Sequence, residues 1–595
     1  MAESSFYDVH VSTLPTLSSP LSYPSSSPCF YDRHKKTYLN RYQNMLRTSQ
    51  TCERCARADF SKAIMRSTPG KDFYYEDFFY EIRTISMFLD REEECFRCNQ
   101  LTKILRMTFS DIETTSLPEC FRLGATSISN PALTRYQSTY FCFRSFERGA
   151  PWRYLLPVQA RFVDNFSNDH FYHSFGKPIS PDTIDYNMFN DCIKLCRSRH
   201  STTCNSISQF RFTTKRLIDC KDRVICTAPN SRYICLSYVW GDAPTENATF
   251  DDRSLAEIPQ TVSDAMFVTL RLGMRYLWVD RYCIDQNNPE EKHDAIRNMD
   301  SIYRNAFITI IAAAGSGSDY GLPGVSRPRK STPPVGIDSH AFMVMQNPSI
   351  DMKDSTWNTR GWTYQEMLLS RRRLIFTDYQ SYFQCQKHQT MEQLHKDFES
   401  TDSMKRMLGY KHLLPTQEEF FTVDEIYSRL EEYYPRTLRY ETDNINAFVG
   451  VFRELSDRTS DHYSSSPSGL YMPHQNPHFY GIPLWLDLKL ADDDNISWRF
   501  GLSLGWRIEK VKNGPLFAHA GAMVKPSFPS WSWASTKGQR LNHDHYRIVF
   551  SSRPSHSGEI QDANFSAYVT HKSGERISLS AYTTRADDYT LFHPW

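Results

Sequence analysis

Two pairs of cysteines stand near the amino end of the chain, Cys52-x-x-Cys55 and Cys95-x-x-Cys98. Thiolates hold zinc at about 2.3 Å in a tetrahedron, and two such pairs supply the four ligands of a closed structural site. The gap between the pairs is longer than the usual ribbon spacing. Two readings stay open: a structural zinc at Cys52, Cys55, Cys95 and Cys98, or separate reduced thiols. Neither pair follows a strand that opens a βαβ unit, which disfavours a thioredoxin-like role. A second series, Cys192, Cys196, His200 and Cys204, recurs at every fourth position. On one straight helix such residues drift around a broad face by about 40° per step and do not converge on one ion. That series is read as helix packing. Gly501-Leu-Ser-Leu-Gly505 has the spacing of a nucleophile elbow, but the following Trp506–Val511 alternates like a strand where the elbow needs a helix. No G-x-x-x-x-G-K-[ST] loop is present, so the chain carries no P-loop NTPase engine.

A second group of candidates becomes visible once the elements that carry them are placed. Residues 233–239 read as a short strand ending at Trp240-Gly241. Thr261, with Asp264 three residues on, predicts a capped helix that Gly273 stops. Residues 276–280 predict the next strand. Pro289 and Glu290-Glu291 open another helix that continues to Ala306, with acidic residues suited to its dipole, and residues 307–313 predict a third strand. This alternation predicts an α/β domain with an open, mostly parallel sheet flanked by helices and joined by right-handed crossovers. Ligands in such sheets bind beyond the carboxyl ends of the strands. The polar clusters that fall there run from Ser237 to Asp242, from Asp280 to Gln286 and from Gly315 to Gly321, with Arg360–Glu366 as a further loop.

Three of these stretches, YICLSYVWG at 233–241, YLWVDRYCIDQ at 276–286 and RGWTYQEMLLSRRRLIF at 360–376, resemble the three motif blocks of the fungal heterokaryon-incompatibility (HET) domain. Connecting and downstream stretches are similar as well, among them YPRTLRYETDNINAFVGV at 434–451 and PSWSWAS at 529–535. The likeness covers roughly residues 176–538. It implies fungal non-self recognition that ends in programmed cell death, and a fold similar to Toll/interleukin-1-receptor (TIR) domains, some of which cleave NAD. In those relatives a glutamate on a Trp-x-x-x-Glu-like turn is catalytic, which puts Glu366 forward on Trp362-Thr-Tyr-Gln-Glu366. A carboxylate beside the anomeric carbon stabilises the oxocarbenium-like charge that develops as a nicotinamide–ribose bond breaks. The alternative is that Glu366 pairs with Arg360 or Arg371 and only holds the loop.

Ser237, Trp240, Gly241, Asp280, Gln286, Arg360 and Trp362 complete the candidate NAD site. Gly241 admits a ligand close to the backbone, and Trp240 either offers a stacking face or caps the core. Asp280, Asp285 and Gln286 either bind ribose hydroxyls or orient Arg360, or cap the helix from Pro289; the mixture favoured places Asp280 near the pocket and reads Asp285 as structural. Cys283 is read as a packing thiol. Glu366 is expected at the mouth of this pocket, kept ionised by Arg360. Because fold does not fix function, a non-enzymatic adaptor that signals by homotypic association is the alternative to a hydrolase.

The chain has 595 residues, enough for several domains. The divisions expected are a Ser/Pro-rich disordered tail at 1–35, a Cys-pair module at 41–110, a strand-rich region at 111–190, the HET domain at 191–395 and a mixed α+β region at 396–595. Lys+Arg 69 against Asp+Glu 68 leaves a net charge of +1, which excludes a dedicated nucleic-acid binder. The longest apolar run, Ala306–Ala314, is far short of the roughly 20 residues that a membrane span needs. The start lacks the basic and apolar regions of a signal peptide, so an intracellular, cytoplasmic chain with reduced cysteines is expected. Its partners are expected to be a second copy of itself and a recognition protein that the sequence does not identify.

Overall fold

The computed structural model describes residues 179–205, 214–241, 258–330, 355–393, 413–416 and 423–461, with shorter segments, mostly strands and a helix, on either side. The 1–35 tail, Cys55 and Gly501–Gly505 lie outside the described residues.

Two large sheets organise the described residues, beside four two-stranded ones. The first is antiparallel and six-stranded: β1 (Asp77–Ile82), β2 (Phe121–Ser129), β3 (Gln137–Ser145) and β4 (Arg153–Pro157), extended by β11 (His340–Met345) and β10 (Val335–Ile337). Strands β2, β3 and β4 come from 111–190, and the sheet recruits two further strands from between the second and third motif blocks. Helix α1 (Phe96–Thr108) packs on β10 and β11.

The second sheet holds the motif blocks. It comprises β5 (Arg216–Asp219), β6 (Val224–Thr227), β7 (Tyr233–Ser237), β8 (Tyr276–Trp278), β9 (Ile308–Ala312), β12 (Arg372–Phe376), β13 (Ser381–Cys385) and β14 (Gln389–Met391). Its order is β14-β13-β12-β9-β7-β8-β5-β6. The four central strands are parallel, whereas β5 and β6 on one side and β13 and β14 on the other run antiparallel. The sheet is thus mixed, which corrects the expectation of a mostly parallel one. Short hairpins extend both sides of a parallel centre. All five residues of β9 are buried, as a strand covered on both faces requires.

The expected helices form with shifted ends. Helix α4 (Gln260–Arg271) begins after Pro259, so Thr261 and Asp264 do not cap it. They point across to the loop after β9, where Thr261 Oγ1 accepts from the Gly321 N–H at 3.1 Å and Asp264 Oδ2 from the Leu322 N–H at 2.6 Å. A short helical turn, α5 (Asp280–Cys283), follows β8. The single helix expected from Pro289 to Ala306 is two, α6 (Pro289–Arg297) and α7 (Met299–Asn305). Asn298 divides them; its amide donates to the Asp294 carbonyl at 2.8 Å and closes the first helix. Asn288, not Asp285, caps α6, with Oδ1 accepting from the Glu291 N–H at 3.1 Å. Tyr303 of α7 stands edge-on to Trp278 at 5.5 Å in the core.

The helix carrying the Cys192 series does not run straight through it. Helix α2 (Tyr186–Arg199) stops, His200 turns the chain, and α3 (Ser201–Cys204) follows. The expectation that one straight helix holds these residues apart fails at that turn. Helix α8 (Thr356–Thr359) leads into the third block, which helix α9 (Trp362–Leu369) and β12 carry. They are clamped from beyond: α10 (Val423–Tyr433) and α11 (Asn446–Asp461) pack their rings on Tyr364, with Phe448 stacked at 5.9 Å. Among the described residues no helix is long and apolar enough to cross a membrane.

Candidate functional site

Parallel strands deliver their carboxyl ends to one edge, and the first and third motif blocks meet there. Ser237, the last residue of β7, donates from Oγ to Glu366 Oε2 at 2.5 Å. The same hydroxyl accepts from Trp357 Nε1 at 2.8 Å. Helix α9 presents Glu366 to the strand end because Gly361 lets the chain enter close to its neighbour; a Cβ there would lie 2.6 Å from a Leu438 methyl. The backbone around that entry is fixed by the Gly361 N–H bonded to the Thr437 carbonyl at 2.7 Å and the Thr437 N–H bonded to Thr359 at 2.6 Å.

The second block arrives on the neighbouring strand. Asp280 begins the turn after β8, and both its oxygens accept from Trp240 Nε1, at 3.1 and 3.0 Å. Its own turn adds the Arg281 N–H at 2.7 Å. Gln286 reaches back to the Asp280 and Ile284 carbonyls at 3.4 Å each, so its amide braces this turn. Asp285 caps the next turn through the Asn287 N–H at 3.0 Å, in keeping with a structural role. Arg360 donates to the Tyr238 carbonyl. Gly241 has φ of +73°, the left-handed region that glycine adopts without strain, and faces Gly317 of the loop after β9.

The electrostatics differ from expectation. Glu366 is 5 % exposed, not at an open mouth. Burial and the neighbouring Asp280 carboxylate push its carboxyl up to about 7, against the opposing pull of the Ser237 hydrogen bond, Arg360 and the Tyr303 hydroxyl. Arg360 opposes this rise but does not overcome it, because the buried carboxyl has lost its water. Asp280 is pushed up to about 6, again by burial, with Arg360 opposing. Two carboxyls that release protons near neutrality on one strand edge are suited to acid–base or charge-stabilising work.

The structure thus brings together Ser237, Trp240, Asp280, Arg360 and Glu366, with Gln286 bracing the second block. Trp362 packs against the core and hydrogen bonds Asp443. Trp240 is half-buried against the core, with its indole N–H spent on Asp280, which favours the capping role over a free stacking face. Sequence reasoning missed Trp357 and Tyr303. Trp357 is fully buried and lies just before the third block, where a tryptophan beside the block was the available signal. Tyr303 sits on α7, and nothing local marks it.

At the amino end, Cys52, Cys95 and Cys98 place their sulfurs within 4.8 Å of one another. Cys52 and Cys98 lie 3.8 Å apart, Sγ to Sγ, and the Cys52 N–H points at Cys95 Sγ at 3.3 Å. Three thiols so gathered are able to bind a soft tetrahedral metal such as zinc.

Residues 233–366 match the family "Heterokaryon incompatibility protein (HET)". The match begins at the first residue of β7 and ends at Glu366, so it encloses the polar cluster. Residues 233–366 thus carry the HET domain match that the three blocks implied. It is similar to the "Heterokaryon incompatibility protein 6, OR allele" of Neurospora crassa, 34% identical over 106 residues, which cover 15% of this chain and 15% of that one. The chain therefore spans about 15% of the length of the curated relative it matches. No solved structure matches the chain. Within the HET domain, the first and third blocks are joined by the Ser237–Glu366 hydrogen bond, and the second is held beside them by Asp280 and Trp240.

Proposed function

We propose that this chain acts in fungal non-self recognition that ends in programmed cell death, and that its HET domain is the effector. The reading is supported by the family match and the similarity to a heterokaryon-incompatibility protein. Within it, the activity we assign is hydrolysis of the nicotinamide–ribose bond of NAD at a TIR-like site. The observation that carries it is the contact of Glu366 with Ser237 at the carboxyl edge of the parallel strands. Glu366 as a carboxylate stabilises the cationic sugar as nicotinamide departs, and water then takes the anomeric carbon. Asp280, Trp240, Gly241, Arg360, Gln286 and Trp362 shape the substrate side. Since Glu366 is covered, substrate entry needs movement of α8 and α9, which self-association would drive. Cys52, Cys95 and Cys98, with Cys55, form a structural zinc site in the module before the domain.

One observation favours a second reading, a non-enzymatic adaptor acting in the cytoplasm through homotypic contacts: Glu366 is buried, hydrogen-bonded and protonated to a large extent at neutral pH. NAD consumption by the purified full chain, at low and high protein concentration, separates the two. A hydrolase shows turnover that rises with concentration, and Glu366→Gln lowers it by about 100- to 1000-fold, the loss typical of one electrostatic stabiliser. The adaptor reading takes over if the folded wild type consumes no NAD at any concentration.

A further inference from the structure

A second cluster of metal-ligating side chains lies outside the HET match. Cys196 is in the last turn of α2, His200 is the turn between α2 and α3, Cys204 ends α3, and Cys385 ends β13. One ligand atom from each lies within 4.8 Å of all the others. Cys385 Sγ and His200 Nδ1 are 3.5 Å apart. A tetrahedral zinc with bonds of about 2.3 Å to sulfur and about 2.0 Å to nitrogen spaces its ligands by roughly 3.5–3.8 Å. The three cysteines are buried and His200 is half-buried.

The surroundings fit a metal-thiolate centre better than packed thiols. Three thiolates and a neutral imidazole around a divalent ion leave a net negative charge, and a cation compensates it here. The Arg372 guanidinium donates from Nε to Cys196 Sγ at 3.2 Å and is anchored by the Phe307 carbonyl and Asn205. The backbone N–H of His388 points at Cys385 Sγ at 3.2 Å. Donors aimed at ligand sulfurs are the outer contacts that orient and stabilise thiolates on zinc. None of the described cysteines is in a disulfide.

We propose that Cys196, His200, Cys204 and Cys385 bind a structural zinc ion that fastens α2 and α3 to the antiparallel edge of the HET sheet. All four ligand positions are filled by protein, so the site is closed and leaves no place for a substrate. Binding releases the thiol protons to solvent as the three Zn–S bonds form.

The test is metal analysis of the purified full chain, prepared without added metal or chelator. The wild type is expected to carry about one zinc per chain from this centre, and about one more if the Cys52 set is also loaded. Cys385→Ser loses one equivalent, and Cys98→Ser does not affect that equivalent. His200→Cys retains it, since four thiolates are an equally good tetrahedral set, which guards against a Cys385 variant that fails to fold. Cobalt(II) added to the chelator-stripped wild type gives a tetrahedral thiolate spectrum that the Cys385→Ser protein lacks. Zinc content unchanged by Cys385→Ser, no tightly held metal in the wild type, or a disulfide between Cys196 and Cys204 in the intact mass overturns the proposal.

Discussion

The two polar clusters, one inside the HET match and one outside it, lie at opposite ends of the parallel strands of one sheet. Ser237 pairs in register with Ile311 at the carboxyl ends of the parallel strands. Cys385 pairs with Arg372, the first residue of β12, at their amino ends. Both clusters bury groups that prefer water, and they meet that cost differently. At the carboxyl edge the groups satisfy one another: hydroxyl to carboxyl, indole to hydroxyl, indole to carboxylate. At the amino edge the ligand atoms converge on a point with a guanidinium and a backbone N–H behind them. The first arrangement has protons to exchange near neutrality; the second has a place for a cation. In open α/β sheets the carboxyl edge receives ligands, and the amino edge is left to stability.

The sharpest way to separate the edges is to remove metal. A zinc held about a thousandfold above its dissociation constant stabilises the fold by about 4 kcal/mol. For a unit of this size stripping it with a strong chelator should lower the melting temperature by roughly 10 °C. The part of the drop that comes from this centre should be lost in the Cys385→Ser protein and persist in Glu366→Gln. Thermal melts followed by circular dichroism, with and without chelator, check both. An equal chelator effect in wild type and Cys385→Ser would assign the stabilising metal to another site.

Acid distinguishes the edges by sign. Glu366 rises from 4.5 when free to about 7 in the fold, and Asp280 from 3.8 to about 6. Between the free and folded values the unfolded chain has already released protons that the native chain keeps. Stability contributed by these groups is therefore present below about 4 and is lost as pH rises through about 7. For Glu366 alone the loss is roughly 3 kcal/mol. Zinc–thiolate binding goes the other way, since protons compete for the sulfurs as pH falls. Urea unfolding of chelator-treated protein across this window should show stability falling with pH, less steeply in Glu366→Gln. The same titration should make NAD turnover rise as pH passes about 7, because only the carboxylate stabilises the cationic sugar. A flat stability profile in the stripped wild type would mean that water reaches Glu366.

The difference in legibility between the edges has a physical origin. Ser237, Asp280 and Glu366 each stand inside a motif block, the first two at or just past a strand end, and the parallel topology that brings the strand ends together follows from hydrophobic patterning. Three of the four central strands, β7, β8 and β9, were placed within two residues for the same reason, while β12 was not read as a strand. The amino-edge cluster depends on a four-residue-spaced series whose helix breaks at His200, and on Cys385 from a hairpin beyond the third block. Neither a helix stop without glycine or proline nor a contact across 185 residues leaves a local signal. The antiparallel hairpins at both sides of the sheet were missed for a related cause: β5 and β6 have four residues each and β14 three, too few for a period to register. Burial of Glu366 was missed because its cover comes from Trp357 and from the packing of α9 under α10 and α11, which pattern alone does not weigh.

The smallest predicted effect tests whether the carboxyl edge is held by the one hydroxyl at its centre. Ser237→Ala removes the donor to Glu366 Oε2 and the acceptor for Trp357 Nε1 together. Trp357 has no exposure, so its indole N–H is left without water as well as without a partner. An unpaired buried donor costs about 1–3 kcal/mol, more than the net value of the hydrogen bond itself. Glu366 also loses one of the contacts that favour its ionised form, so its titration moves to higher pH. Chemical denaturation should show the loss of stability, and the pH at which turnover and stability change should rise with it. Metal content should be untouched, because the substitution acts at the opposite end of β7 from Cys385. A Ser237→Ala protein as stable as the wild type, with an unshifted pH profile, would show that the carboxyl edge opens to water, and that its groups are hydrated between encounters with substrate.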